Sequence, residues 1–299
     1  MIVHKSVMPN EVLEHLVPKR ENPVLVDCTT GEGGHTSLFL AKYPTLTAFG
    51  LDIDSDIQKK AIDRLAEFSP RFIPVHTWFN DFLAQRESES VDLILIDLGI
   101  SIFHYVESNR GFSFRNDEKL DMRLDKNQTY SAWNIVNEYA EEDIANIIYK
   151  YGEERYSRRI AKRIVEERQT ASIDSSKQLA DIIFHAVPKD YRYGKIHPAT
   201  RSFQAFRIET NNELDRIAPT LEEAIRCLTP GGKLAVITFH SLEDRIVKWF
   251  FKNFDKEVIS IITKRPIIAT EEELNENPPS RSAKLRIIEK KEINVWNKD

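Results

Sequence analysis

Short apolar runs alternate with amphipathic stretches along the first hundred residues. The apolar runs that predict strands are residues 23–27, 46–51, 71–75 and 91–97. Helical spacing between them predicts helices at 34–42, at 55–68 and around Asp81. Nearly continuous apolar strands that are separated by helices are typical of a parallel sheet with both faces covered. The pattern therefore predicts an α/β fold.

The next comparable strand begins only at Lys233. It is residues 233–239, after a predicted turn at Thr229-Pro-Gly-Gly232, and strand-like runs follow at 257–263 and 284–290. Lys233 lies 136 positions after Asp97, whereas a parallel crossover needs about a dozen residues, usually in one helix. The gap therefore predicts an inserted domain.

The gap carries helical spacing throughout. The predicted helices are residues 131–140, 141–151, 154–167 and 176–187, and a long helix at 200–228 would return the chain to the sheet. We therefore expect a discontinuous sheet domain, residues 1–106 and 200–299, and an all-helical insert, residues 107–199.

Composition narrows the class of protein. Hydrophobic residues make up 41% of the 299, which is enough for a sizeable core. The two cysteines, Cys28 and Cys227, are too few for a disulfide framework or a metal cluster, so we expect reduced buried thiols and no metal. The first ten residues lack an apolar signal region, and no run approaches the ~20 apolar residues of a membrane span. These features favour a cytoplasmic enzyme.

A glycine-rich turn follows the first predicted strand. Gly31, Gly33 and Gly34 lie where that strand passes into a helix, and such a turn lets the backbone approach a ligand. Asp52 ends the second strand 19 residues after Gly33, the spacing at which a carboxylate meets ribose hydroxyls. The spacing Gly-x-Gly-Gly does not match the dinucleotide fingerprint. Asp27, just before the turn, would repel a pyrophosphate and suits the cationic end of S-adenosylmethionine.

Each of these residues also has a structural interpretation. The turn alone is compatible with an ordinary tight turn, and Asp52 with a helix N-cap, although Asp54 fits that role better. Phe79, after the third strand, is suited either to packing on adenine or to the core.

Asp97 ends the fourth strand, at the sheet edge where ligands gather in open α/β folds. It is our candidate catalytic residue, holding either an acceptor amino group or the amine of the cofactor.

His240 and Ser241 follow the fifth strand at the same edge. Their adjacency and the absence of a Gly-x-Ser-x-Gly motif argue against a hydrolase, and Ser241 is expected to cap the next helix.

A basic region lies within the predicted insert, although the protein as a whole has a net charge of −5. Five cations recur at helical spacing and predict one basic helix face: Arg155, Arg158, Arg159, Lys162 and Arg163. Two segments mix aromatic and basic residues, as surfaces that stack single-stranded bases do: Arg110, Phe112, Phe114 and Arg115, then Tyr191 to His197 with Lys195. A solvated charged face is the alternative for the helix alone, but the coincidence of all three favours RNA binding.

Several motifs, in order along nearly the whole chain, resemble those of the RsmH (MraW) methyltransferase family. The matching segments are 4–11, 27–35, 97–101, 110–114, 120–125, 151–155, 197–204, 238–245 and 281–286. The resemblance implies a Rossmann-like class I methyltransferase sheet with a helical insert. It also implies S-adenosylmethionine-dependent methylation of N4 of a decoding-site cytosine in bacterial 16S rRNA, with 16S rRNA within the small ribosomal subunit as the expected partner.

The resemblance also assigns residues. Family cofactor contacts fall here on Gly33, Gly34, His35, Asp52, Phe79 and Asp97. One further contact, usually a Gln, falls on His104, where the chain reads Ser101-Ile-Phe-His104 in place of Ser-Ser-Pro-Gln. A second departure is Thr30, where the family often has an aromatic residue. The candidate RNA contacts are Arg110, Phe112, Phe114, Arg115, Arg155, Arg158, Arg159, Lys195, His197 and Arg201.

Two other functions remain open at this point. One is a nicotinamide-dependent oxidoreductase that uses the same turn and Asp52, and the other is a non-enzymatic rRNA-binding assembly factor. The residues by themselves do not distinguish rRNA from DNA or tRNA.

Overall fold

A seven-stranded sheet forms the centre of the computed structural model, which describes residues 5–292. Its strands are β1 Val24–Asp27, β2 Thr47–Asp52, β3 Phe72–His76, β4 Val91–Asp97, β5 Leu228–Thr238, β6 Ile259–Ile261 and β7 Lys284–Lys290. The order is β3-β2-β1-β4-β5-β7-β6, and the first five strands are parallel. β7 is antiparallel to both of its neighbours. The predicted α/β fold is confirmed.

Helices cover this sheet and build the segment between β4 and β5. In chain order they are α1 Pro9–His15, α2 Gly34–Lys42, α3 Ser55–Arg64, α4 Phe79–Gln85, α5 Ile102–Val106, α6 Ala132–Glu138, α7 Glu141–Gly152, α8 Ser157–Arg168, α9 Ser176–Ala186, α10 Lys189–Arg192, α11 Ala199–Asn211, α12 Ile217–Cys227, α13 Ser241–Asn253 and α14 Glu271–Glu276. Over residues 5–292, none of them is long and apolar enough to cross a membrane.

The apolar strands follow from burial on both faces of the sheet. In β4, Ile94 and Ile96 belong to a core cluster that includes residues of α12 and α13. Leu93 and Leu95 point to the opposite face and pack in a second cluster with residues of α1 and α2. Because successive side chains of a strand alternate between faces, a strand that is covered on both sides is mostly apolar, as β4 is between Leu93 and Ile96.

The chain divides into two compact units. Unit 1 is Met1–Ile100 with Leu214–Asp299, and unit 2 is Ser101–Glu213. The boundaries therefore lie at 100/101 and 213/214, whereas the sequence predicted 106/107 and 199/200. The second boundary moves because α11 packs against α7 and belongs to the insert. The named secondary-structure elements of unit 2 are all helices.

The single long helix predicted at 200–228 is wrong. Two helices, α11 and α12, occupy that stretch, because Asn212 adopts the left-handed conformation (φ 52°) that ends α11. The predicted turn at Thr229–Gly232 is also wrong. These residues belong to β5, which pairs with β4 from Leu228 onward through a register shift between Val91 and Leu93. Gly231, at φ +77°, allows the irregularity.

Candidate functional site

The turn after β1 folds as the glycines require. Gly31 and Gly33 both have positive φ, and α2 begins at Gly34. A Cβ on Gly33 would lie 2.8 Å from the Leu65 side chain, so both conformation and space demand glycine. The turn thus presents backbone at the carboxyl edge of the parallel strands, where β1, β2 and β4 end side by side.

Asp27, at the end of β1, stabilises this turn through hydrogen bonds to its carboxylate. Its Oδ2 accepts a 2.6 Å hydrogen bond from Thr36 Oγ1 and its Oδ1 accepts one from the Thr29 N–H at 3.3 Å. The side chain is buried, and burial raises its pKa to about 6. The expectation that Asp27 faces the cationic end of a ligand is therefore not met directly. Sequence reasoning missed Thr36, whose hydroxyl group fixes the position of the Asp27 carboxylate.

Asp52 joins the glycine turn to the start of α3. Its Oδ2 accepts from the Gly31 N–H at 3.1 Å and its Oδ1 from the Asp54 N–H at 2.8 Å. Asp54 is the cap of α3, accepting from Asp56 N–H, so the alternative interpretation of Asp52 as the N-cap is wrong. Burial raises the pKa of Asp52 to about 7. Each oxygen of an ionised carboxylate has two lone pairs, so Asp52 retains acceptor capacity for hydroxyls.

Asp97 and His35 lie together at the same edge. His35 Nε2 is 3.8 Å from Asp97 Oδ2. Among residues 5–292, neither ring nitrogen nor Asp97 Oδ1 has a hydrogen-bond partner. The Asp97 N–H donates to Thr29 Oγ1 at 2.7 Å, which fixes the backbone at this point. Buried polar atoms are normally satisfied, so unsatisfied ones at a ligand-binding edge indicate that a ligand completes the set.

The electrostatics of this edge favour a cation. Burial and, secondarily, the negative charge of Asp27 together raise the pKa of Asp97 to about 8. Burial lowers the pKa of His35 to about 4, so the imidazole is neutral near pH 7 and supplies no positive charge. Three carboxyl groups with raised pKa values therefore share one sheet edge, and a positive ligand would stabilise their ionised forms. A pyrophosphate would meet repulsion there instead.

Phe79 begins α4 directly after β3. It is half-buried, packs against the core and meets the neighbouring Trp78 edge-on with ring centroids 6.3 Å apart. Sequence reasoning did not single out Trp78, which forms a cation–π contact with the Arg216 guanidinium, 4.0 Å from the ring centroid. Both interpretations of Phe79 are compatible with this packing.

The helix after β5 is capped differently from the prediction. The N-cap is His240, not Ser241, because the Glu243 N–H donates to His240 Nδ1 in a capping box. Glu243 closes the box by accepting from the Phe239 N–H at 2.7 Å and the His240 N–H at 3.2 Å. The spacing His240-x-x-Glu243 is the signal that would have identified it.

His104 lies in unit 2, within α5. It is buried, and its ring packs against Phe103 and Phe112 with centroids 5.5 and 5.2 Å away. Its role as a cofactor contact in place of the family Gln stays a prediction.

The aromatic-basic loop of the insert is largely internal. Arg110 is buried and donates to the Arg123 carbonyl at 2.7 Å, and Phe112 is also buried. These two side chains are structural in this conformation, which corrects the expectation that they stack on bases. Phe114 is half-buried against His197, with centroids 4.6 Å apart, and Arg115 is exposed.

The predicted basic helix face forms, with one exception. Arg158, Arg159, Lys162 and Arg163 are exposed on α8, opposite the buried Ile160, Ala161 and Ile164. Arg155 is also exposed but precedes the helix, and its guanidinium lies 4.7 Å from the Tyr156 ring centroid. The sequence predicted that Arg155 lies on this helix, because its spacing continues the series of basic residues.

The remaining predicted RNA contacts lie in the same unit. Lys195 and His197 are exposed, in the segment before α11. Arg201 is half-buried and donates to the Glu153 carbonyl at 3.2 Å. The exposed members of the set thus lie on unit 2.

Comparison with known proteins identifies the family that the chain matches. Residues 1–291 match the model of the MraW methylase family. A "Ribosomal RNA small subunit methyltransferase H" of Treponema denticola is 49% identical over 306 residues, covering 96% of this chain and 97% of that protein. The protein of the same name in Sulfurihydrogenibium sp. is 47% identical, covering 96% and 99%.

Among solved structures, a putative rRNA methylase from Clostridium thermocellum has a TM-score of 0.48 at 13% identity, covering 97% of this chain and 100% of that chain. The family model and the curated relatives, each spanning almost the full length, show that the chain belongs to the MraW methylase family.

Proposed function

We propose that the protein transfers a methyl group from S-adenosylmethionine to N4 of a cytosine in the decoding site of bacterial 16S rRNA, acting in the cytoplasm on RNA within the small ribosomal subunit. Family membership supports methyl transfer, and the names of the curated relatives support small-subunit rRNA as the substrate. The choice of cytosine N4 follows the motif resemblance. The observation that carries the proposal is the Asp97–His35 pair with unsatisfied buried atoms at the carboxyl edge of the sheet.

The residues at this edge fit S-adenosylmethionine. When bound, this cofactor supplies an electrophilic methyl group on a positively charged sulfur. The turn at Gly33 and Gly34 would present its backbone to the cofactor, and Asp52 would accept hydrogen bonds from ribose hydroxyls. The unsatisfied Asp97 Oδ1 and the ring nitrogens of His35 offer polar partners, and the acidic surroundings suit a cation. Phe79 would pack on the adenine, and the contact that the family resemblance assigns to His104 stays a prediction.

Asp97 is proposed to act on the acceptor. The lone pair of an exocyclic amino group is delocalised into the ring, so the nitrogen is a weak nucleophile. A carboxylate that accepts a hydrogen bond from N4 holds the nitrogen in line with the methyl group and raises the fraction of productive geometry. N4 would form a bond to the methyl carbon as the carbon–sulfur bond of the donor breaks, and the neutral thioether S-adenosylhomocysteine would leave. N4 would also give up one proton, and Asp97, with a raised pKa, is suited to accept it.

Unit 2 is proposed to bind the RNA. The exposed cations of α8, with Arg115, Arg155 and Lys195, are the basic residues that would meet phosphates, on a protein with a net charge of −5. His197 is included as a neutral ring, because burial lowers its pKa. Cations of this kind neutralise phosphates and release counterions, which makes affinity sensitive to salt. Phe114 and Arg201 belong to the same set, half-buried at its base.

The decisive experiment is mass spectrometry of 16S rRNA from a strain that lacks the gene. We expect one methyl group to be missing from a decoding-site cytosine and to return when the wild-type gene is supplied, but not when an Asp97→Ala variant is supplied. An unchanged methylation pattern would overturn the proposal. Restoration by the Asp97→Ala variant would favour the assembly-factor hypothesis.

A thermal-shift comparison separates the proposal from the oxidoreductase hypothesis. S-adenosylmethionine should raise the melting temperature of the protein, and NAD should not, because ligand that binds only the folded state stabilises it. The reverse result would identify a dinucleotide enzyme.

A further inference from the structure

A groove of about 410 Å³ lies in unit 1 between α13 and the edge of the sheet. Its floor is apolar, formed by the buried side chains of Phe251 and Ile259. Four lysines surround it: Lys248, Lys252, Lys256 and Lys264. None of the residues assigned above to the cofactor or to RNA lines this groove.

The four ammonium groups are available for an anion. All four lysines are exposed, and within residues 5–292 none has a carboxylate partner within 4.0 Å. The fifth cation of the groove, Arg286, differs because it is paired with Asp244, with Nε 2.8 Å from Oδ1. From Arg245 to Arg265 the chain has six Lys or Arg residues against two acidic ones. In a protein with a net charge of −5, this clustering is a local exception.

An exposed aromatic side chain lies next to the lining residues of the groove, beside two of the four lysines. Trp249 is 47% exposed, and the Nζ atoms of Lys252 and Lys248 lie 4.5 and 5.8 Å from its ring centroid. Exposed Ile261 and Ile262 follow along the edge of the sheet. A flat aromatic face beside unpaired lysines matches the surfaces that bind single-stranded nucleic acid, where bases stack and phosphates meet cations.

One helix, α13, links the groove to the sheet edge that carries the candidate active site. α13 begins at Ser241, directly after the carboxyl end of β5, and Lys248 and Lys252 follow on successive turns. The rise of 1.5 Å per residue puts Lys252 about 16 Å along the helix from its start. A strand whose target base is at the sheet edge can therefore run down α13 toward β6.

We propose that this groove binds a single-stranded RNA segment that flanks the methylated nucleotide, with phosphates on the four lysines and a base stacked on Trp249. The inference rests on the proposed function for the identity of the polymer. Charge complementarity and the exposed tryptophan favour RNA over an acidic polypeptide, because a polypeptide of acidic side chains offers no flat ring to stack.

The test compares the full-length protein with two fourfold variants. In one, Lys248, Lys252, Lys256 and Lys264 are all changed to Glu, and in the other, to Arg, which preserves the charges. Affinity for oligouridylate is measured between about 50 and 200 mM salt. The Glu variant should bind roughly tenfold or more weakly, with a salt slope lower by up to about 3, since each phosphate contact on a single strand contributes about 0.7. The Arg variant should resemble the wild type.

Trp249→Ala and Trp249→Phe test the stacking separately. The Ala variant should lose roughly fivefold or more in affinity, and the Phe variant should retain most of it, since stacking on an aromatic ring contributes about 1–3 kcal/mol per base. Equal affinity of the wild type and the Glu variant would overturn the proposal. Displacement of the RNA by polyglutamate at equal charge concentration would also overturn it, in favour of an acidic protein partner.

Failure of the groove and failure of the proposed function give different results. If wild-type protein methylates 16S rRNA and the Glu variant does so with an unchanged KM, only the groove proposal fails. If the wild type methylates no RNA but the Glu variant still loses oligouridylate binding, only the proposed function fails.

Discussion

The His35 imidazole lies beside the Asp97 carboxyl group, with Nε2 3.8 Å from Oδ2, yet the two do not form an ion pair in the free protein. Burial lowers the pKa of His35 to about 4 and raises that of Asp97 to about 8. Near pH 7 the imidazole is therefore neutral and the carboxyl group is largely protonated. A positive ligand arriving beside them would shift Asp97 to its ionised form. The pair thus links ligand charge to the protonation of the candidate catalytic residue.

Changing Asp97 to Ala should abolish methyl transfer, with a fall in rate of at least about 100-fold, because removal of a positioned acid–base group costs this much or more. Incorporation of labelled methyl into 16S rRNA measures it, with thermal unfolding as the control for folding. Asp97→Asn keeps the shape and removes the charge, so it should be similarly inactive. Near-wild-type activity of the Ala variant would contradict the assignment.

The contribution of Asp97 to the stability of the ligand-free protein should fall as the pH rises from about 4 to about 8. The folded state holds a proton on Asp97 up to a pKa of about 8, whereas the ordinary value is 3.8, so the folded state binds more protons in this window and loses stability as they leave. Asp52, with a pKa of about 7, acts in the same direction. Urea unfolding at a series of pH values should show a smaller decline for Asp97→Asn, and identical declines would mean that Asp97 is ionised in the folded state.

Thr36→Val should destabilise the fold by about 1–3 kcal/mol, because it leaves the buried Asp27 Oδ2 without its 2.6 Å hydrogen bond. Thr36→Ser keeps the hydroxyl and is the matched control. Denaturant unfolding gives the difference between the two variants. If Val and Ser variants were equally stable, the Thr36–Asp27 bond would contribute nothing measurable.

The strands of the sheet were predictable because burial on both faces of the sheet gives each of them an apolar run. β4 and β7 were predicted at their observed bounds, since each contains an apolar run typical of a buried strand, Leu93–Ile96 in β4 and Ile287–Ile288 in β7. The ends of α11 were not, because Asn212 in the left-handed conformation interrupts a pattern that otherwise continues. Local periodicity does not report a single residue that reverses the chain.

The carboxylates of the candidate site were predictable from the sequence, but the residues that form hydrogen bonds with the site were not. Asp52 and Asp97 stand at strand ends, a position visible in the sequence. Thr29 and Thr36 support the site through hydrogen bonds that only the folded turn creates. The burial of Arg110 was likewise invisible, because an arginine beside aromatic residues has the same pattern whether it faces solvent or donates to internal carbonyls.

Gly33→Ala should destabilise the protein more than Gly31→Ala. Both positions have positive φ, which costs an L-residue about 1–2 kcal/mol. A new Cβ at Gly31 would lie 3.8 Å from its nearest side-chain neighbour, Ile57 Cδ1, whereas at Gly33 it would lie 2.8 Å from the Cδ1 of the buried Leu65. We expect a difference of about 1 kcal/mol or more from overpacking. Chemical denaturation measures both, and equal losses would show that Leu65 moves aside freely.

Reversing the charges of Arg158 and Arg159 to Glu should weaken RNA binding and flatten its salt dependence by roughly 1.4, at about 0.7 for each phosphate contact. Both side chains are exposed on α8, and the helix packs through Ile160, Ala161 and Ile164, so the fold should persist. The double Lys variant preserves charge and serves as the control. Calorimetric titration with S-adenosylmethionine should give an unchanged Kd. An equal loss of RNA and cofactor binding would mean instead that α8 has a structural role, because a phosphate contact on unit 2 has no reason to alter a cofactor site at the carboxyl edge of the sheet.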